Sequence, residues 1–246
     1  MRVLFAGPSL FGVTPDLAGL TLLPPARQGD IARAVADGAS AIGLVDGYFD
    51  AVAAPWHKEI LFALGRGVDM LGASSMGALR AAECAAFGMR PIGSIAFDYH
   101  SGALDDDAAV ALNHGPEELG YPALTEPLVN VKPTLHRLRH LQLITEAELA
   151  RLWERACSLY FQDRSVEALF ADEERLGLDA AYREHLVNRK AEDALLLIAE
   201  LKQSATSRVS PRAETQPSSP FARQVLAGML GTTTVELDDR QAEAVR

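Results

Sequence analysis

Two serines stand side by side in the run Gly72-Ala73-Ser74-Ser75-Met76-Gly77. An apolar stretch, residues 68–73, precedes them, and a helical pattern, residues 75–87, follows, so they fall on a strand-to-helix turn. A serine with small residues two positions either side has the pattern of a nucleophile elbow, a turn sharp enough to lift the hydroxyl above the sheet edge. Ala73 and Gly77 bracket Ser75 in this way. In the shifted frame Gly72 precedes Ser74 but Met76 breaks the second position, so Ser75 is the preferred nucleophile and Ser74 the alternative. The amide of Met76, at the helix start, would then face a developing oxyanion. Read for structure alone, the same serines would cap the helix and tighten the turn.

A serine hydroxyl needs a base, and a lysine can serve where its ammonium form is disfavoured by burial. Lys58 sits in the first turn of the helix opened by Pro55, which follows the apolar run 40–45. Ser75 begins the helix after the next run. In a parallel sheet both turns lie on the carboxyl edge, where open α/β sheets bind ligands. Neighbouring strands run about 4.8 Å apart, so a lysine arm could span the two helix starts. His57 is the alternative base, and it otherwise packs on a neighbour or meets solvent. Gly7-Pro8-Ser9 ends the first apolar run on the same edge, where its amides could add an oxyanion donor. Asp46-Gly47 ends the third run, where Asp46 could orient Lys58, bind a partner group or simply turn the chain. Arg80 and Glu83 have the i, i+3 spacing of a helix-surface pair.

Other polar groups carry less. Asp105-Asp106-Asp107 reads as a solvated helix start rather than a cation site. His136 and His140 are four apart on a helix without a third ligand, so they read as surface residues and no metal site is assigned. No phosphate-binding lysine motif is present, although the turn at 72–77 could cradle an anion by its helix dipole. Cys84 and Cys157 each sit in an apolar helical stretch and read as buried free thiols. Nothing calls for a cofactor.

The elements that must position these groups follow from periodicity. Apolar runs at 2–6, 20–24, 40–45, 68–73 and 92–97 read as strands, and 30–37, 55–64 and 75–87 as helices. Strands alternating with helices predict an α/β fold: a Rossmann-like parallel sheet with flanking helices, followed by a C-terminal helical region. Residues 1–124 form the α/β core on this reading and 125–202 the helical region, with Thr145 and Glu148 spaced as a capping box. Residues 203–220, rich in Ser, Thr and Pro, read as a flexible linker, and 221–246 as a short helix with a frayed tail.

The chain has 246 residues, 48% of them hydrophobic and 23% charged, and a net charge of −10. So acidic a chain is repelled by phosphates, which argues against non-specific nucleic-acid binding. No run is long and apolar enough to span a membrane. Few cysteines and no signal-peptide pattern lead to the expectation of a cytoplasmic protein.

Several segments together carry a family resemblance. GPSL at 7–10, GD at 29–30, DGYF at 46–49, HKEIL at 57–61, GASSMGALRAAE at 72–83, Gly88-Met89, the acidic run 105–107 and PLVN at 127–130 resemble TfuA-like proteins, and NRKAEDALLL resembles longer members. The resemblance implies work beside a YcaO-family enzyme, which activates a peptide backbone amide with ATP. It further implies a Ser–Lys pair that releases sulfide from the C-terminal thiocarboxylate of a small ThiS-like sulfur-carrier protein, and help in engaging the precursor peptide. Carried onto this chain, the serine falls in Ser74-Ser75 and the lysine is Lys58. A non-catalytic adaptor that docks YcaO to its substrate, a small-molecule esterase or thioesterase, and a phosphate-ligand module are the rival readings.

Overall fold

The computed structural model describes residues 1–48, 52–173, 175–204 and 220–231. Phe49 of the DGYF motif, nearly all of the expected linker and the tail beyond 231 lie outside the described residues. Five parallel strands form one sheet in the order β2-β1-β3-β4-β5: β1 (Arg2–Phe5), β2 (Thr21–Leu23), β3 (Ala41–Leu44), β4 (Asp69–Gly72) and β5 (Arg90–Pro91). The first four match the expected strands to within a residue at each end. Helices α1 (Asp30–Ala36), α2 (His57–Gly65) and α3 (Met76–Cys84) lie between them.

The register explains why the strands read as continuous apolar runs. Val3, Ile42 and Met70 align across the sheet, as do Leu4, Gly43 and Leu71. Val3, Phe5, Ile42, Leu44 and Met70 pack with α1, α2 and the far side of α3. Leu4, Ala41, Leu71 and Ala73 face the other way, onto Ala194, Leu197, Ile198 and Leu201 of α9 (Arg189–Gln203). The C-terminal helical region is therefore not an appendage throughout, because α9 is one of the layers that bury the sheet. Gly43 lets α9 lie close on the sheet: a Cβ there would stand 2.6 Å from the Leu197 side chain.

The apolar run 92–97 is not a strand. The sheet keeps only Arg90–Pro91, and the chain enters α4 (Gly93–Ser101). Gly93 turns at φ +85°, and the buried Asp193 carboxylate accepts from the amides of Ser94 (2.9 Å) and Ile95 (2.7 Å). Those bonds satisfy amides that a helix start leaves open.

The rest is helical: α5 (Leu128–His140), α6 (Glu146–Ser158), α7 (Val166–Leu169), α8 (Leu178–Glu184) and α10 (Pro220–Met229). Thr145 and Glu148 form the expected capping box at the start of α6. Asp106 caps a short 3-10 turn at 107–109, with the acidic run exposed, and His136 and His140 are exposed. Cys84 is buried as expected, whereas Cys157 is exposed, on the outward side of α6. No helix among the described residues is long and apolar enough to cross a membrane.

Candidate functional site

The strand order reverses direction at β1: the chain moves outward to β2, then back across to β3. In such sheets the crevice beyond the carboxyl ends of the two central strands is the natural ligand site. Here that crevice lies above β1 and β3, and Gly7-Pro8-Ser9, Asp46-Gly47-Tyr48 and Ser74-Ser75 converge on it.

A buried polar clamp ties these three loops together. Asp46, 1% exposed, accepts from the Gly7 amide (2.8 Å) and the Ser9 amide (3.0 Å) through Oδ2, and from Ser9 Oγ (2.6 Å) through Oδ1. Ser74 Oγ donates to Ser9 Oγ at 2.9 Å. Hydrogen bonds to a buried carboxylate are of the strong, charge-assisted kind. The arrangement settles three expectations. The Gly7 and Ser9 amides are consumed by Asp46 and are not free to hold an oxyanion, and Pro8 has no N–H to offer. Asp46 braces the first loop rather than Lys58. Ser74, wholly buried, is committed to the clamp.

Ser75 is left free. The turn is closed by a bond from the Ser75 amide to the Ala73 carbonyl (2.8 Å), with Ser74 at its centre at φ +69°. A bond of that span around a positive φ is the rare, strained form of γ-turn. Ser75 takes the capping position of α3 but makes no side-chain cap bond, so helix capping does not account for it. Glycine is required around the turn. A Cβ on Gly77 would stand 1.8 Å from the Leu44 carbonyl oxygen, and one on Gly72 would stand 2.1 Å from the Gly77 carbonyl oxygen. The Gly77 amide donates to Val45. Met76, the first residue of α3, has no intrahelical acceptor for its amide, while its side chain is in the core.

Ser75 lines a cavity of about 230 Å³. Pro8, Asp46, Gly47 and Tyr48 form its floor, the segment 111–114 and Phe161 form further wall, and Lys190 reaches it from the first turn of α9. Lys58 is not on this wall. It is half-buried in the first turn of α2 and makes no hydrogen bond or ion pair with a described residue, so the structure does not pair it with either serine. His57 is also elsewhere: Nε2 lies 2.7 Å from Glu83 Oε2, and Arg80 reaches the same oxygen at 2.6 Å while its Nε donates to the Pro55 carbonyl (2.9 Å). These three side chains join α2 to α3 at the surface, which bears out the expected Arg80–Glu83 pair.

Two cavity residues were not anticipated. His114 Nδ1 lies 2.8 Å from the Gly115 carbonyl, and since a carbonyl can only accept, Nδ1 carries the proton and Nε2 is left as an acceptor. Lys190 is 2% exposed, and its Nζ donates to the Val110 carbonyl at 2.8 Å. Burial pushes its pKa down to about 8, against a smaller upward pull from Asp46. A signal for Lys190 was present: with Ala194, Leu197 and Leu201 it follows the 4-3-4 spacing of the buried stripe of α9.

Residues 46–165 match the sequence model of the family described as TfuA-like protein. No curated protein matches the chain. The matched stretch starts at the Asp46 clamp and runs through both serines and the 111–114 wall, and this match supports the resemblance to TfuA-like proteins.

Proposed function

We propose that this protein supports peptide backbone thioamidation by hydrolysing the C-terminal thiocarboxylate of a small ThiS-type sulfur carrier at Ser75, supplying sulfide to a partner YcaO-family enzyme. The TfuA-like family is associated with thioamidation and a YcaO partner, which sets the biological context. The observation that carries the chemistry is the Ser75 hydroxyl: it sits on a strained strand-to-helix turn, is not used as a cap, and faces a small cavity at the switch point of the sheet. At about 230 Å³ the cavity falls below the usual size of a site for a drug-sized ligand. It suits a thin, unbranched chain end, which favours a carrier tail over a free ester of some bulk.

Ser75 attacks the thioacid carbonyl, the carbon–sulfur bond breaks, and water then frees the carrier as its carboxylate. With the Gly7 and Ser9 amides occupied, the Met76 amide is the backbone donor left at the helix start for the developing oxyanion. Sulfur is a far better leaving group than an amine nitrogen, so one donor suffices for a modest rate. The test is sulfide release from a thiocarboxylated ThiS-type carrier. Ser75→Ala abolishes release while the fold persists, and Lys58→Ala retains it. Full release by Ser75→Ala would remove the hydrolase reading and leave a protein that only docks YcaO to its precursor peptide.

A further inference from the structure

We propose that a second cavity, walled by α5, α6 and the loop 103–109, docks an acidic linear peptide segment of a partner protein through one apolar anchor. It shares no lining residue with the Ser75 cavity and does not depend on the serine reading. Its volume is about 540 Å³, within the usual range of ligand sites.

The floor is apolar. Ala109, Leu128 and Val129 are buried and belong to the core around α4–α6, and Leu104 and Trp153 pack on that core while partly exposed. Leu128, Val129, Lys132, Pro133 and His136 follow helical spacing along one face of α5. Trp153 and Cys157 stand one turn apart on α6. An apolar floor beside a tryptophan is the kind of pocket that anchors a partner side chain.

The charge is one-sided. Helix α5 carries Lys132, His136, Arg137, Arg139 and His140 and no acid, in a chain of net charge −10. Lys132 and His136 are exposed and make no ion pair with a described residue, and Lys132 Nζ stands 5.3 Å from the centre of the Trp153 ring. Four residues of helix separate the two by about 6 Å along the axis. The cations are therefore strung along the cavity rather than aimed at one point, which suits successive carboxylates of a chain more than a single phosphate.

The lining also accepts hydrogen bonds. Asp106 Oδ1 takes the Ala108 amide (2.9 Å), and Oδ2 has no donor among the described residues. Pro133 has no N–H to give the Val129 carbonyl one turn back. Such acceptors call for N–H groups, which a peptide backbone has and a phosphate lacks. Asp98, the other acid on the wall, is already paired with Arg189 at 2.7 Å.

This chain has an acidic, apolar segment of its own, Val235-Glu236-Leu237-Asp238-Asp239. It follows α10, whose Leu226 packs in the separate core of the α1–α2 side. A partner's segment needs no such crossing, so the partner is the occupant and the tail is the rival.

The test is fluorescence anisotropy of a labelled peptide, Glu-Asp-Glu-Leu-Phe-Glu-Asp-Glu, titrated with the full chain. Binding is saturable and weakens as salt is raised. Replacing the Leu-Phe pair of the peptide by Ala-Ala weakens it about tenfold. Lys132→Glu combined with His136→Glu, both exposed positions, weakens it about tenfold or more while the near-ultraviolet dichroism stays that of the wild type. In the unaltered chain the peptide also slows alkylation of the exposed Cys157 by iodoacetamide, with the buried Cys84 as the internal control. That readout stands even where a variant fails to fold. No saturable binding, equal affinity in the folded double variant, or unprotected Cys157 overturns the proposal. A chain ending at residue 231 that binds the peptide about tenfold more tightly than the full chain overturns it too, by making the tail the native occupant.

Discussion

At the scale of single residues, the two adjacent serines do different work, and the difference is thermodynamic before it is chemical. Ser74 is spent on the Ser9–Asp46 clamp, whereas the Ser75 hydroxyl bonds to none of the described residues. Asp46→Ala leaves the Gly7 and Ser9 amides buried without an acceptor. At 1–3 kcal/mol per stranded group this costs about 3 kcal/mol or more, against about 1 kcal/mol for Ser74→Ala, which loses one neutral hydrogen bond. Ser75→Ala stays within about 0.5 kcal/mol of wild type. Urea unfolding at constant slope measures all three, and a large loss from Ser75→Ala would mean that its hydroxyl is structural after all. The serines and the turn beneath them were legible in the sequence, because small residues around a hydroxyl at a strand-to-helix junction have few other uses. The fate of the Gly7 and Ser9 amides was not. It depends on β1 lying next to β3, a pairing made between residues 39 and 37 positions apart.

At the scale of elements, helix starts are held by carboxylates from elsewhere in the chain. Glu59 of α2, fully buried, accepts from the Ile31 and Ala32 amides of α1 (3.1 and 3.3 Å), and from Gly29 and its own Trp56 amide. Asp193 does the same for α4. This is why 92–97 misleads: a six-residue apolar run is the same signal for a buried strand and a buried helix turn. The group that decides, Asp193, is 98 residues away. Burial raises the Glu59 carboxyl above its usual 4.5, the amide bonds opposing but not cancelling the loss of water. The folded state therefore binds this proton more tightly than the unfolded chain does. Glu59 contributes most below 4.5, and that contribution is lost as pH rises through the raised folded value. Glu59→Gln cannot titrate, so its unfolding free energy, followed from pH 4 upward, lacks this downward component. Parallel curves for the two proteins would show that Glu59 titrates as it does in the unfolded chain.

At the scale of the whole molecule, one helix joins the site to the core. Lys190, Ala194, Leu197 and Leu201 share a face of α9, so the residues that bury the sheet are in register with the amine that reaches the cavity. The α/β core was legible from its apolar runs, whereas the packing of α9 against one face of the sheet was not. A charged amphipathic segment reads alike whether its apolar stripe covers a neighbouring helix or a sheet. Truncation separates the two. A chain ending at residue 204 keeps α9 and loses the contact of Leu226 with the α1–α2 side of the sheet. It still unfolds in one cooperative step, at a lower midpoint, since burying one leucine is worth about 2 kcal/mol. A chain ending at residue 187 uncovers Leu4, Ala41, Leu71 and Ala73 together and strips the carboxylate from the start of α4. An exposed apolar sheet face with helices intact is the recipe for a compact state without fixed packing. That chain keeps its far-ultraviolet dichroism, loses the near-ultraviolet signal and binds a hydrophobic dye. A cooperative, dye-free transition from the 187-residue chain would instead make α9 a docked accessory, and the route by which Lys190 is held at the cavity would have to be sought in α5.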